Sequence, residues 1–246
     1  MDSATVNGIS TNYTYGFDGI RTRKTVGSTV TEYFTNGSTI LAEKTGSNVL
    51  WYIYDSDGEI LGFTYNGTPY YYIKNVQGDV YKVVNASGSV VASYTYDAWG
   101  KVLSATGSMA QINSIRYRSY YYDAETGFYY LQSRYYDPET GRFLNADGLL
   151  GANQDLLSYN LFAYCSNNPV NCSDPTGEVA LECVILGIAA VAFIGTGMML
   201  GAVGAQTASQ QLQGKIHYAP SESKLSSLYH MHNSSAIQIA PSSTAA

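Results

Sequence analysis

Apolar and polar positions alternate along the first half of the chain, and an Asp or Asn followed closely by Gly interrupts the alternation at near-regular intervals. Similar units recur as Tyr15-Gly-Phe-Asp18-Gly-Ile-Arg21, Trp51-Tyr-Ile-Tyr-Asp55-Ser-Asp-Gly58, Tyr71-Tyr-Ile-Lys-Asn75-Val-Gln-Gly78, Tyr94-Thr-Tyr-Asp97-Ala-Trp-Gly100 and Tyr120-Tyr-Tyr-Asp123-Ala-Glu-Thr-Gly127. A period of two belongs to strands that bury one face. Asp and Asn close a turn with their side-chain oxygen, and Gly supplies the positive φ that the turn needs. The pattern predicts an all-β body: a serial ribbon of β-hairpins with a period of roughly 20 residues, each unit burying its face on the next.

Composition agrees with that ribbon. The chain of 246 residues holds 24 tyrosines and 24 glycines, and aromatic or β-branched residues suit a pleated, half-buried surface. A formal net charge of −6 argues against a nucleic-acid partner, because tracking phosphates needs clustered Lys and Arg. No signal peptide opens the chain, so secretion or surface display would use a route not encoded here.

The three cysteines, Cys165, Cys172 and Cys183, form neither a C-x-x-C pair nor an even framework, and are read as buried or incidental thiols. The histidines His217, His230 and His232 stand far from them in sequence, so no metal site and no cofactor is expected. Asp123 and Asp137 share a Tyr-Tyr-Asp context and are read as turn formers.

After Gly177 the composition shifts. From Cys183 to Ala205 run 23 residues without a charge, enough for a helix to span a bilayer, and Gly197-Met-Met-Leu-Gly201 has the spacing that lets helices approach closely. A membrane-inserting helix over 183–205, a helix packed inside a shell and a disordered passenger all remain open. Residues 206–246 are polar and low in apolar content, which favours a flexible end. No catalytic signature of a hydrolase, P-loop or dinucleotide-binding enzyme occurs there.

The block Ser133-Arg-Tyr-Tyr-Asp137-Pro-Glu-Thr-Gly-Arg142-Phe-Leu-Asn-Ala-Asp147, with Asn160-Leu-Phe-Ala-Tyr-Cys-Ser-Asn-Asn-Pro-Val-Asn-Cys-Ser-Asp174-Pro-Thr-Gly177, closely resembles the core of Rhs proteins. Those are YD-repeat proteins related to the C components of Tc toxins and to teneurins, and the resemblance covers about residues 10–178. It implies a partial spiral or cocoon that encloses a variable C-terminal polypeptide, often a toxin, and severs it by intramolecular aspartyl autoproteolysis. The family's site residues fall on Arg134, Asp147 and Asp174, and the cut would follow Glu178, at the junction with Val179. Two positions depart from the family pattern: Ala146-Asp147-Gly148 replaces Pro-Asp-Pro, and Glu178 stands where an apolar residue is usual, which implies slow cutting.

Chemistry by itself leaves two readings of these aspartates. Two carboxylates brought together cannot both ionise cheaply, so one keeps a proton and serves as acid while the other activates water; a guanidinium would hold one of them ionised. Arg134 ranks first for that role and Arg142 second. Equally, Asp-Pro and Asp-x-x-Gly are common turn formers with no catalytic duty.

The organisation expected is a hairpin ribbon over 1–107, an Rhs core with its autoproteolytic junction over 108–178, and a variable tail over 179–246. Expected partners are the chain's own tail, the rest of a longer shell, an immunity protein and, for the tail, a membrane. The competing reading is a cell-surface YD-repeat protein that binds carbohydrate or a neighbouring cell without cleavage.

Overall fold

The computed structural model describes residues 1–148 and 160–178 and the backbone of 182–183. Eleven strands form one antiparallel sheet: β1 (Ser3–Val6), β2 (Ile9–Tyr15), β3 (Arg21–Val26), β4 (Thr29–Asn36), β5 (Thr39–Thr45), β6 (Asn48–Tyr54), β7 (Ile60–Tyr65), β8 (Thr68–Lys74), β9 (Val80–Asn85), β10 (Val90–Tyr96) and β11 (Val102–Thr106). Each pairs with its neighbour in sequence, so the sheet is an unbroken meander. The expected all-β class and serial hairpins hold.

Four turns share one construction. At Asp55, Asn75, Asn85 and Asp97 a side-chain oxygen accepts the backbone N–H groups two and four residues on, at 2.8–3.1 Å. The glycine at the third position of each takes φ between +79° and +89°, a region closed to most side chains. The first unit is built differently: Gly16 occupies the Asp position, and Asp18 accepts the Ile20 N–H at 3.0 Å. The ladder slips by one residue beside several of these turns, between Thr14 and Tyr15, Ile53 and Tyr54, Ile73 and Lys74, and Thr95 and Tyr96. Such bulges add right-handed twist, here repeatedly at the same end of the sheet.

A second antiparallel sheet follows, β12 (Tyr121–Asp123), β13 (Phe128–Leu131), β14 (Arg134–Asp137) and β15 (Arg142–Phe143). Both its faces are covered. Tyr121, Tyr130 and Tyr135 join the core of the large sheet with Tyr13, Tyr33, Phe63 and Val83, whereas Tyr129, Leu131, Tyr136 and Phe143 pack with Tyr117, Tyr120 and Tyr164. Neighbours along a strand point to opposite faces, which is why Tyr-Tyr pairs recur here: each ring of a pair serves a different core. A two-residue ladder, β16 (Cys172–Ser173) with β17 (Glu182–Cys183), ends the described chain.

Three expectations need correction or bounding. Asp123 is not a side-chain turn cap: its carboxylate is fully buried and bonds Arg21 at 2.6 Å and Lys24 at 2.9 Å, and its backbone carbonyl closes the turn to Gly127. The cysteines are not all thiols, since Cys172 is disulfide-bonded while Cys165 is free and buried; spacing in sequence does not reveal which strands will pair. The helix expected from Cys183 does not start there, because Cys183 is in a strand, and 184–205 lies outside the described residues. Among the described residues no helix is long and apolar enough to cross a membrane.

Candidate functional site: an arginine shared by two aspartates at the junction

The site begins with a tight hairpin. Arg134 stands opposite Leu131 across the β13–β14 turn, where Gln132 adopts a positive φ of 63°. Ser133 at the tip holds the Asp174-Pro-Thr-Gly177 segment, giving both its N–H (3.2 Å) and its hydroxyl (2.7 Å) to the Thr176 carbonyl. Gly177 has φ +72°, and a Cβ there would lie 2.7 Å from the Leu131 carbonyl oxygen. Only glycine lets the junction approach this closely.

Asp174 is held at both ends. Its backbone N–H donates to the Tyr120 hydroxyl at 2.8 Å, which is itself paired with the Tyr164 hydroxyl at 3.1 Å, and its Oδ1 accepts the Gly177 N–H at 2.9 Å. Asp147 arrives from the segment after β15, where its N–H donates to the Leu161 carbonyl at 2.9 Å.

Arg134 joins the pieces. Nη1 lies 2.9 Å from Asp147 Oδ2 and Nη2 lies 3.2 Å from Asp174 Oδ2. Nε donates to the Gly177 carbonyl and Nη1 also reaches the Leu161 carbonyl at 3.3 Å. The guanidinium carbon sits 3.7 Å from the Phe143 ring centroid, so aromatic packing fixes the plane of the fork. The two carboxylates differ in exposure, with the Asp147 side chain 20% accessible and that of Asp174 1%. Burial pushes the Asp174 carboxyl above its usual value, Asp147 adds to the rise, and Arg134 and the Gly177 N–H oppose it. One cation thus serves two acids in a site with a wet side and a dry side.

A family model described as Teneurin YD-shell matches residues 9–170. The chain belongs to this family. Two curated relatives are a tRNA3(Ser)-specific nuclease WapA from Bacillus spizizenii, 41% identical over 183 residues, and a tRNA nuclease WapA from Bacillus subtilis, 40% identical over 183 residues. In both, the match takes in 72% of this chain and spans 8% of the relative. The fold is also similar to a crystal structure of TcdB2-TccC3-Cdc42, with a TM-score of 0.56, 21% identity, and coverage of 71% of this chain and 9% of that one.

Within this YD-shell chain, Arg134, Asp147 and Asp174 converge although they are far apart in sequence. Glu178 is exposed; Val179 lies outside the described residues. Arg142 is exposed and stands opposite Asp137 across β14 and β15, so the runner-up arginine is on a different side of the strand pair. Asp137 is a turn former as expected, taking the Glu139 N–H and the Thr140 hydroxyl, each at 2.9 Å. Among the described residues no cluster suited to a metal occurs, and the three histidines lie outside them. Sequence reasoning missed Tyr120, Ser133 and the Leu161 carbonyl. Tyr120 is one of three consecutive tyrosines, and nothing local marks it as the one that meets Asp174.

Proposed function

We propose that the chain is a β-shell module of an Rhs-type polymorphic toxin that encloses a C-terminal effector and frees it by intramolecular aspartyl autoproteolysis after Glu178. The observation that carries this reading is the single guanidinium binding both aspartates and the Gly177 carbonyl, one residue before the junction. Asp174, buried and raised, keeps the proton destined for the leaving nitrogen; Asp147, on the accessible side, draws the proton from the attacking water. Arg134 orients the Asp147 carboxylate and fixes the direction of the Gly177 carbonyl.

In this reading 1–107 is wall, 108–178 is the wall's closing core and cutting site, and 179–246 is cargo. The partners are that cargo, further shell segments and an immunity protein for the producing cell, with a membrane as the target of an apolar cargo; the setting is secreted or at the cell surface. The competing glycan-binding reading needs tyrosine faces open to sugar, and Tyr81 is the single tyrosine among the exposed large hydrophobic side chains of the described residues.

Intact-mass measurement on refolded chain, denatured with reductant before analysis, tests the reading. Wild type is expected to yield fragments ending at 178 and starting at 179, Glu178→Leu to do so faster, and Asp147→Asn and Asp174→Asn to stay whole while retaining β circular dichroism. Full-length protein from wild type and from Glu178→Leu alike would leave the arrangement a structural turn.

A further inference from the structure

The junction lies between two cysteine positions whose backbones are paired in one short ladder. Of the three cysteines, Cys165 is a buried free thiol and Cys172 is disulfide-bonded. The backbone register of β16 with β17 sets position 172 directly opposite position 183. Directly opposed antiparallel residues have Cα atoms about 4.5–5.5 Å apart, within the span of about 4.4–6.8 Å that a disulfide bridges. We infer that a Cys172–Cys183 disulfide staples the two sides of the junction, so that shell and tail stay covalently joined after the 178/179 peptide is cut and separate only on reduction.

The cut in this inference rests on the autoproteolytic reading; the staple does not. Cys172 lies upstream of Glu178 and Cys183 downstream, so hydrolysis of any peptide bond between them opens the backbone and leaves the sulfur link. Without the link, a two-residue ladder offers too few hydrogen bonds to retain a severed tail. Burial pushes the Cys165 thiol up to about 12, which keeps it out of exchange with its neighbour. Forming the staple removes two protons and two electrons, taken by a small-molecule disulfide. Releasing it takes two exchange steps with a small thiol such as reduced glutathione, which restore both cysteine thiols and leave one oxidised glutathione. An oxidising exterior preserves such a bond and a reducing cytoplasm breaks it, so delivery into a cell would itself unlock the tail.

The test uses the full chain equilibrated with reduced and oxidised glutathione, then denatured and alkylated with iodoacetamide. One alkyl group is expected before reduction and three after; three before reduction, or a bridge that includes Cys165 in a non-reducing digest, overturns the inference. A second arm inserts a site-specific protease sequence after Glu178, so that cutting does not depend on the aspartates. On a denaturing gel without reductant the cut protein is expected to run as one species, to separate with reductant, and to separate without it in Cys183→Ser. Separation of the wild-type junction without reductant overturns the staple. A chain that never cuts itself but behaves as expected in this arm overturns autoproteolysis alone.

Discussion

Arg21 and Arg134 are both buried arginines bonded to aspartate, yet Arg21 shares one carboxylate with a second cation, whereas Arg134 divides itself between two carboxylates. At the first site, Asp123 meets Arg21 at 2.6 Å and Lys24 at 2.9 Å. The Arg21 guanidinium stands 4.3–5.3 Å from the ring centroids of Tyr13, Tyr33, Tyr121 and Tyr130, which supplies cation–π attraction where its Nε and Nη2 find no acceptor. Burial works to raise the Asp123 carboxyl, but the charges of Arg21 and Lys24 prevail and hold it below its usual value. At the second site the balance reverses, and burial prevails at Asp174. An acid with two cations is locked in its ionised form and can only hold sheets together; an acid with half a cation can carry a proton.

Removing the carboxylate at the first site should have the largest effect. Asp123→Asn leaves the buried Arg21 without a counter-charge and Lys24 with Glu125 alone, a class of change that costs about 3–5 kcal/mol, and urea denaturation should show that loss. Gly177→Ala comes next. It meets both a positive φ and the Leu131 carbonyl, and roughly 1–3 kcal/mol of backbone strain is expected, read as a lower urea midpoint together with slower cutting.

The pH response should distinguish the sites by sign. Asp123, lowered in the fold, contributes stability above about pH 3.9, the ordinary aspartate value, which is lost as pH falls through its folded value. Asp174, raised in the fold, contributes stability below about pH 3.9 that is lost as pH rises through its folded value. Urea midpoints of Asp174→Asn minus wild type should therefore increase as pH rises across that window, and the cutting rate should fall as Asp174 gives up its proton. Equal midpoint differences at every pH would remove the contrast between the two arginines. The smallest effect expected is that of Tyr120→Phe, about 1–2 kcal/mol for the hydrogen bonds its hydroxyl makes with the Asp174 N–H and the Tyr164 hydroxyl, with cutting slowed more than stability is reduced because the Asp174 backbone loses its anchor.

The hairpins were readable because their cause is local: the Asp55, Asn75 and Asp97 turns are complete within five residues, and each strand pairs with its neighbour. The turn at Asn85 has the same bonds but lacks the aromatic run before it, so pattern reading passed over it. Arg134, Asp147 and Asp174 were legible only through the family block, since no local rule brings them together. The Asp123 triad was illegible for the same physical reason: its cations belong to β3, about a hundred residues away, and the Tyr-Tyr-Asp context looks the same whether the carboxylate closes a turn or enters a core. Cys172 shows a further limit, because disulfide partners follow from register rather than from spacing.

The strictly sequential strand order has a consequence for synthesis. Each strand after β1 pairs with the one made just before it, so the large sheet can close while the chain is still leaving the ribosome. The link from Arg21 must wait for Asp123, 102 residues later, and that from Arg134 for Asp174, another 40 residues beyond itself. The carboxyl pair is therefore assembled only after every strand of the large sheet has emerged, and the sheet stands before the site that it supports.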